Sequence, residues 1–314
     1  MSRCLITAEE WLGPGPYSPA GLRSLDRRLT HLDPLSFTHQ QLLEEAALRA
    51  GKMSIQGVQP KLSAVLRVTE GRMALVDAKG RFILKPAHTL YREIPENEAL
   101  TMSLAATMGI DVPLHGLLLG ADGTRTYFIR RFDREGRDRL PVEDFAQLGG
   151  ASRDTKYASS VERLIGIVDR YCSFPAVERV RLFERLLFCF LTGNEDMHLK
   201  NWSLITRADR VELAPAYDLL NSTIVLRGDV EETALPLNGQ KRNLRASVFW
   251  RYLASDQLQL PQRIVDEVRT RIVTAATQWP ARIATSFLSP QMQERYLVVV
   301  RNRFSLLELG QFPG

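Results

Sequence analysis

The polar stretch DREGRDRLPVED, residues 133–144, divides this chain of 314 residues into two parts with different hydrophobic rhythms. Ahead of it the apolar residues come in short runs, LSAVLRV, MALVD, RFILKP, LHGLLLG and RTYFIRRF, with turn signals at Glu70-Gly71 and Lys79-Gly80. Runs of that length bounded by glycine turns predict short β-strands in an antiparallel meander. Behind it, SSVERLIGIVDRYC and PAVERVRLFERLLFCFLTG repeat at helical spacing, as does the remainder from ASVFWRYL to FSLLELG. One strand pair, WSLI and VELA joined by TRADR, interrupts the helices.

Two helices are expected inside the strand-rich part. Thr38 and Gln41 form a capping box, Phe37 and Leu42 can staple it, and Gly51 stops the helix; PENEALTMSLAATMG opens with Pro95 and ends at Gly109. Residues 1–35 are rich in Gly, Pro and Arg and predict an irregular, partly tethered arm. The expected fold class is α+β, with a β-rich N-lobe over 36–134 and a helical C-lobe over 135–314.

With 45% hydrophobic and 25% charged residues, such a chain can bury a substantial core. The formal charge is +5, from 41 Lys plus Arg against 36 Asp plus Glu, which describes a mixed surface and not a polycation. Cys4, Cys172 and Cys189 show no pattern and read as buried free thiols. The N-terminus has no apolar signal region and no apolar run reaches the length of a membrane span, so a cytoplasmic protein with no membrane attachment is expected. No internal repeat or low-complexity tract is present, which removes solenoid and disordered architectures.

The chemistry concentrates in GNEDMHLKNW, where an acid, a base, a cation and an amide follow one apolar helix. Asp196 and Asn201 are separated by four residues, and after a hairpin APAYDLL sets Asp218 at the end of a strand. Phosphoryl transfer to a hydroxyl needs a carboxylate beside the acceptor and hard oxygen ligands for Mg²⁺. Asp196 can orient the acceptor and take its proton, Asn201 and Asp218 can hold the metal, and Lys200 can neutralise phosphate charge. The plainer alternative is an Asx turn made by Asn194 and Asp196. Zinc is disfavoured, because His198 with Asp196 finds no further ligand at zinc spacing.

A phosphotransferase must also hold ATP. In SIQGVQPKLSAVL the backbone N–H groups of Gln56, Gly57, Val58 and Gln59 can cover phosphate oxygens, although the loop has one glycine where familiar phosphate loops have more. RFILKP places Lys85 at the end of an apolar strand, with Glu98 on the first turn of the next helix as its anionic partner. Each residue taken singly has a structural alternative: Lys85 can snorkel and Glu98 can serve the helix dipole.

SIQGVQPKLS, ILKP, ENEALTMSLAATMGI, RRFDR, EDFAQLGG, GNEDMHLKNWSLI and LAPAYDLLNST together resemble the successive motifs of the HipA family of toxin serine/threonine kinases, from about Ser54 to Thr223. The resemblance implies a two-lobed protein-kinase-like fold similar to phosphatidylinositol 3/4-kinases. It implies that Asp196 is the catalytic acid/base, that Asn201 and Asp218 hold Mg²⁺, and that Lys85 contacts the ATP phosphates. RRFDR becomes the hinge, with the backbone at Arg130 and Phe132 meeting adenine and Asp133 near the ribose, while His198 and Lys200 support the catalytic loop. A serine at the position of Ser54 is the family's autophosphorylation site. The modest segment before the loop is similar to the short, HipT-like branch. That branch implies a helix-turn-helix antitoxin, a separate small companion protein, contact with DNA only through the antitoxin, and an aminoacyl-tRNA synthetase as target. Two other functions stay open at this point: a small-molecule or lipid kinase using the same ATP site, and a catalytically idle regulator that binds an antitoxin.

Overall fold

The computed structural model describes residues 3–49, 59–136, 138–152, 154–226 and 231–313. The chain divides into two compact units, residues 1–99 with 113–131 and residues 100–112 with 132–314. The main division therefore falls at 131/132 where the sequence reading sets it at 134/135, and a short stretch of the first part joins the second unit.

The first unit is built on a five-stranded antiparallel sheet of β1 (Leu62–Arg67), β2 (Arg72–Leu75), β3 (Phe82–Lys85), β4 (His115–Leu119) and β5 (Arg125–Arg130), in the order β2-β1-β3-β5-β4. Register follows apolar pairs such as Leu62 with Leu84 and Leu84 with Phe128, all fully buried, so slipping by one residue would turn that row away from the core. The capping box is formed: Thr38 N–H donates to Gln41 Oε1 at 2.8 Å and Gln41 N–H to Thr38 Oγ1 at 3.3 Å, at the start of the helix His39–Arg49.

Residues 3–35 are more ordered than their composition suggests. They contain α1 (Pro19–Leu25), whose N-cap Ser18 accepts from Gly21 N–H at 3.1 Å and whose Pro19 fits the first turn; the helix His39–Arg49 is α2. Leu117 N–H donates to Leu5 O at 2.8 Å, Leu35 N–H to Leu119 O at 2.7 Å and Asp33 N–H to Gly71 O at 2.7 Å. Buried Cys4, Leu5, Leu22, Leu25, Leu29, Leu32 and Leu35 add apolar contact, so the segment covers strand β4, which would otherwise be an open edge. Gly-Pro punctuation marks its bends and conceals its packing.

Helix α3 (Ile94–Thr107) carries Glu98 in its first-unit portion and continues into the second unit. There the strands are β6 (Arg134–Glu135), β7 (Asp138–Arg139), β8 (Val142–Asp144), β9 (Ser203–Arg207) and β10 (Arg210–Leu213). The expected hairpin is β9–β10, but it gains a third strand, β8, to give the order β10-β9-β8. The sequence reading passes over β8 because Val-Glu-Asp is short, polar and without alternation. Helices α4 (Phe145–Leu148), α5 (Val161–Tyr171), α6 (Pro175–Leu191), α7 (Gln262–Ala276), α8 (Trp279–Ala284) and α9 (Pro290–Leu306), with a π-helical segment Val248–Gln257, make up the rest. Buried Phe183, Phe188, Phe190, Phe249, Trp279, Tyr296 and Phe304 form much of the core. All three cysteines are buried and free, as read from the sequence. Among the described residues, no helix is long and apolar enough to cross a membrane.

Candidate active site

In the first unit the chemistry is a buried ion pair. Lys85 ends β3, and its Nζ meets Glu98 Oε1 at 2.5 Å, with the two side chains 3% and 1% exposed. The ammonium also lies 5.4 Å from the ring centroid of Tyr127, its register partner on β5. An ammonium taken out of water requires a counter-charge in contact, and Glu98 provides it. The result is a positive group with little freedom of position. Ser54, Gln56, Gly57 and Val58 lie outside the described residues, and Gln59 is half-buried just before β1. Arg130 N–H donates to Leu114 O at 2.7 Å, and its guanidinium to the Ser24 and Leu25 carbonyls at the end of α1. The Arg130 N–H is thus engaged within the first unit.

In the second unit the residues of GNEDMHLKNW fold into one hydrogen-bonded loop. Helix α6 ends before Gly193, whose φ of +66° suits glycine; a Cβ there would come within 2.6 Å of Thr223 Oγ1 and 2.8 Å of Val299 Cγ1. The Gly193 carbonyl accepts from Thr223 N–H at 3.1 Å and Ser222 Oγ at 3.2 Å, with Thr223 Oγ1 at 3.0 Å. Glu195 N–H donates back to Ser222 Oγ at 2.7 Å. The Glu195 carboxylate lies 2.5 Å from Thr223 Oγ1 and 3.6 Å from Arg303 of α9; burial pushes its pKa up, against the pull of both partners.

The Asx turn also forms: Asp196 N–H donates to Asn194 Oδ1 at 3.2 Å. Buried Asn194 also donates from Nδ2 to Asp218 O at 3.4 Å, so the turn is tied to the backbone at Asp218. Asn201 Nδ2 donates to Asp196 O at 2.9 Å, and His198 N–H to the same carbonyl at 2.9 Å. With its amide nitrogen used in this way, the oxygen of the Asn201 amide is the acceptor end of that side chain. His198 is buried, with Nδ1 accepting from Lys200 N–H at 3.3 Å and Nε2 2.8 Å from Lys156 Nζ. Burial pushes the imidazole pKa down; Asp196 opposes this and Lys156 reinforces it. Lys200 is half-buried, its Nζ 3.7 Å from Asp144 Oδ2.

Asp218 follows β10 in a left-handed conformation, φ +54°, uncommon outside glycine. The chain leading to it is held at several points. Arg185 donates to Ala214 O at 2.6 Å, Ala216 N–H to Asp111 O at 2.7 Å, and Tyr217 Oη to Lys200 O at 3.1 Å. Tyr217 stacks on Phe132, ring centroids 5.5 Å apart and planes at 28°. Asp133, read as the ribose contact, is paired with Arg134 at 2.6 Å, with Arg139 at 3.9 Å.

Among the described residues, no three His, Cys, Asp or Glu side chains converge to hold a metal by themselves. Mg²⁺ does not require such a cage, since it keeps several waters and shares nucleotide phosphates with one or two protein ligands. The amide oxygen of Asn201 and the carboxylate of Asp218 are hard donors of that kind. The sequence reading missed Lys156, Tyr157, Tyr217 and Arg303, which support the loop from distant positions. No local spacing marks them.

Residues 53–279 match the HipA-like C-terminal domain. The Sinorhizobium fredii protein Y4dM is 34% identical over 260 residues, covering 77% of this chain and 63% of that protein. The serine/threonine-protein kinase toxin HipA of Shewanella oneidensis is 25% identical over 253 residues, 74% of this chain and 57% of its own length. The chain therefore spans under two thirds of each of these two relatives. In the solved complex of S. oneidensis HipA, HipB and its operator DNA, one chain superposes with a TM-score of 0.65 at 21% identity, over 89% of this chain and 73% of that one. The Helicobacter pylori proinflammatory kinase CtkA does so with a TM-score of 0.56 at 14% identity, over 82% and 93%. The α+β, kinase-like fold expected from the sequence is the fold of these structures, and the chain belongs to the HipA-like C-terminal domain family.

Proposed function

We propose that this chain is an ATP- and Mg²⁺-dependent serine/threonine protein kinase that serves as the toxin of a toxin–antitoxin pair. The observation that carries the reading is the Asn201 amide, whose nitrogen is committed to the Asp196 carbonyl so that its oxygen can serve a cation beside the residue proposed as acid/base. In this reading the acceptor hydroxyl attacks the γ-phosphorus of ATP, the Asp196 carboxylate receives its proton, and ADP leaves. Asn201 and Asp218 would hold the metal, which would supply charge neutralisation for the phosphates when bound. Lys85, fixed by Glu98, contacts the phosphates; Lys200 adds positive charge, and His198 braces the loop.

The partners follow from relatives and resemblance. The solved S. oneidensis HipA stands in a complex with HipB and operator DNA, which supports an antitoxin partner here and contact with DNA through it. An aminoacyl-tRNA synthetase as acceptor and autophosphorylation at Ser54 rest on the family resemblance. The test is incubation with labelled ATP and Mg²⁺ in a cell lysate, followed by identification of the labelled molecule. A labelled protein that disappears with Asp196→Asn supports the proposal; a labelled lipid or sugar replaces it with a small-molecule kinase.

A further inference from the structure

The stretch just after α4 makes a second attachment to the loop of Asp196. Tyr157 Oη donates a hydrogen bond to Asp196 Oδ1, and among the described residues it is the one side chain that hydrogen bonds that carboxylate. Its ring stands edge-on to His198, centroids 5.0 Å apart at 87°, and beneath Lys156 Nζ at 4.9 Å. Lys156 in turn places Nζ 2.8 Å from His198 Nε2 and accepts from Leu199 N–H at 3.2 Å through its backbone carbonyl. Two adjacent residues thus grip the loop through a backbone bond, a ring nitrogen, a ring edge and the carboxylate itself.

We propose that Tyr157, seated by Lys156, is a positioning residue for phosphoryl transfer: its hydroxyl holds one oxygen of Asp196 so that the other is presented to the acceptor. The role rests on the assignment of Asp196 made above. A carboxylate on a half-exposed loop can rotate about its side-chain torsions, and an acceptor hydroxyl needs one oxygen at a defined place within hydrogen-bond reach. The Asn194, His198 and Asn201 contacts fix the Asp196 backbone; Tyr157 fixes the end of the side chain. Burial, with the hydrogen bond and charge of Asp196, pushes the phenol pKa up, so Tyr157 remains a donor at working pH. A tyrosine that merely occupied the acceptor's place would have to leave for each turnover. The fourfold attachment of the 156–157 pair argues for a permanent part of the loop instead.

The experiment compares wild type, Tyr157→Phe, Asp196→Asn and the double variant. ADP release from Mg²⁺–ATP and transfer of labelled phosphate to casein are followed under single-turnover and steady-state conditions, and thermal melting controls for folding. Tyr157→Phe keeps the ring and removes the hydroxyl. The expected result is a fall in kcat of about 10- to 100-fold with KM for ATP within about twofold of wild type. In the Asp196→Asn background the same change should alter the residual rate by less than about twofold, because the hydroxyl acts through that carboxylate. Wild-type turnover in Tyr157→Phe overturns the proposal, as does a gain in turnover, which would mark Tyr157 as a blocking group. Equal losses in both backgrounds reduce the hydroxyl to general structural support and also overturn it. If Asp196→Asn itself turns over normally, the phosphotransfer assignment fails first; an inactive Asp196→Asn beside a normal Tyr157→Phe removes only the role of Tyr157.

Discussion

The two units treat their charged residues in opposite ways. In the first, Lys85 and Glu98 are withdrawn from solvent and paired in direct contact. In the second, Asp196, Lys200, Asn201 and Asp218 stay half-buried, their backbones pinned by neighbours. A closed pair gives a rigid fixed charge, and breaking it leaves a lone ion in a dry site. An open loop keeps its functional groups available and places the cost of order on the backbone around them. Substitution in the first region should therefore be read in stability before activity, and in the second the reverse.

The sharpest test of that contrast is Asp196→Asn. It should slow phosphoryl transfer by a factor of about 10² to 10⁴ and shift the denaturation midpoint little, as single-turnover kinetics and urea unfolding will show. A large loss of stability would break the comparison. Glu98→Ala is the converse: it removes the buried carboxylate paired with Lys85 and should destabilise the fold by about 3–5 kcal/mol in urea unfolding. An unchanged midpoint with transfer abolished would make the pair purely functional. Gly193→Ala comes next, at about 1–3 kcal/mol, because the left-handed backbone and the nearby Thr223 and Val299 atoms both oppose a Cβ. Asp144→Ala should cost least, about 1 kcal/mol, through loss of the α4 capping box in which Asp144 Oδ1 accepts from Gln147 N–H at 2.8 Å. Its pairing with Lys200 is too long and too exposed to add much.

Local order was legible wherever one residue's neighbours in sequence are also its partners. The Thr38–Gln41 box, the strands around Lys85 and the stop at Gly193 all rest on contacts a few residues long. The Asp196–Asn201 contact is equally local, since one side chain closes onto a carbonyl five residues back, but the spacing alone does not predict that bond. What escaped notice depends on distant chain. Strand β8 has no alternation and becomes a strand only because β9 offers it an edge. Helix α1 hides behind Ser-Pro, a pair that signals a turn as readily as a helix start. Tyr157 reaches Asp196 across 39 residues, a relation no periodicity encodes.

The Gly193 carbonyl joins two loops that are far apart in sequence. Through it and the Ser222 hydroxyl, the turn carrying Asp196 is stitched to the chain immediately beyond Asp218. Neither loop can open alone without surrendering bonds that belong to both. In hydrogen exchange, the amide protons of Glu195 and Thr223 should then be released in a single cooperative opening, with matching protection and matching sensitivity to denaturant. The stitch makes the two segments behave as one latch, which stays shut or comes undone as a whole.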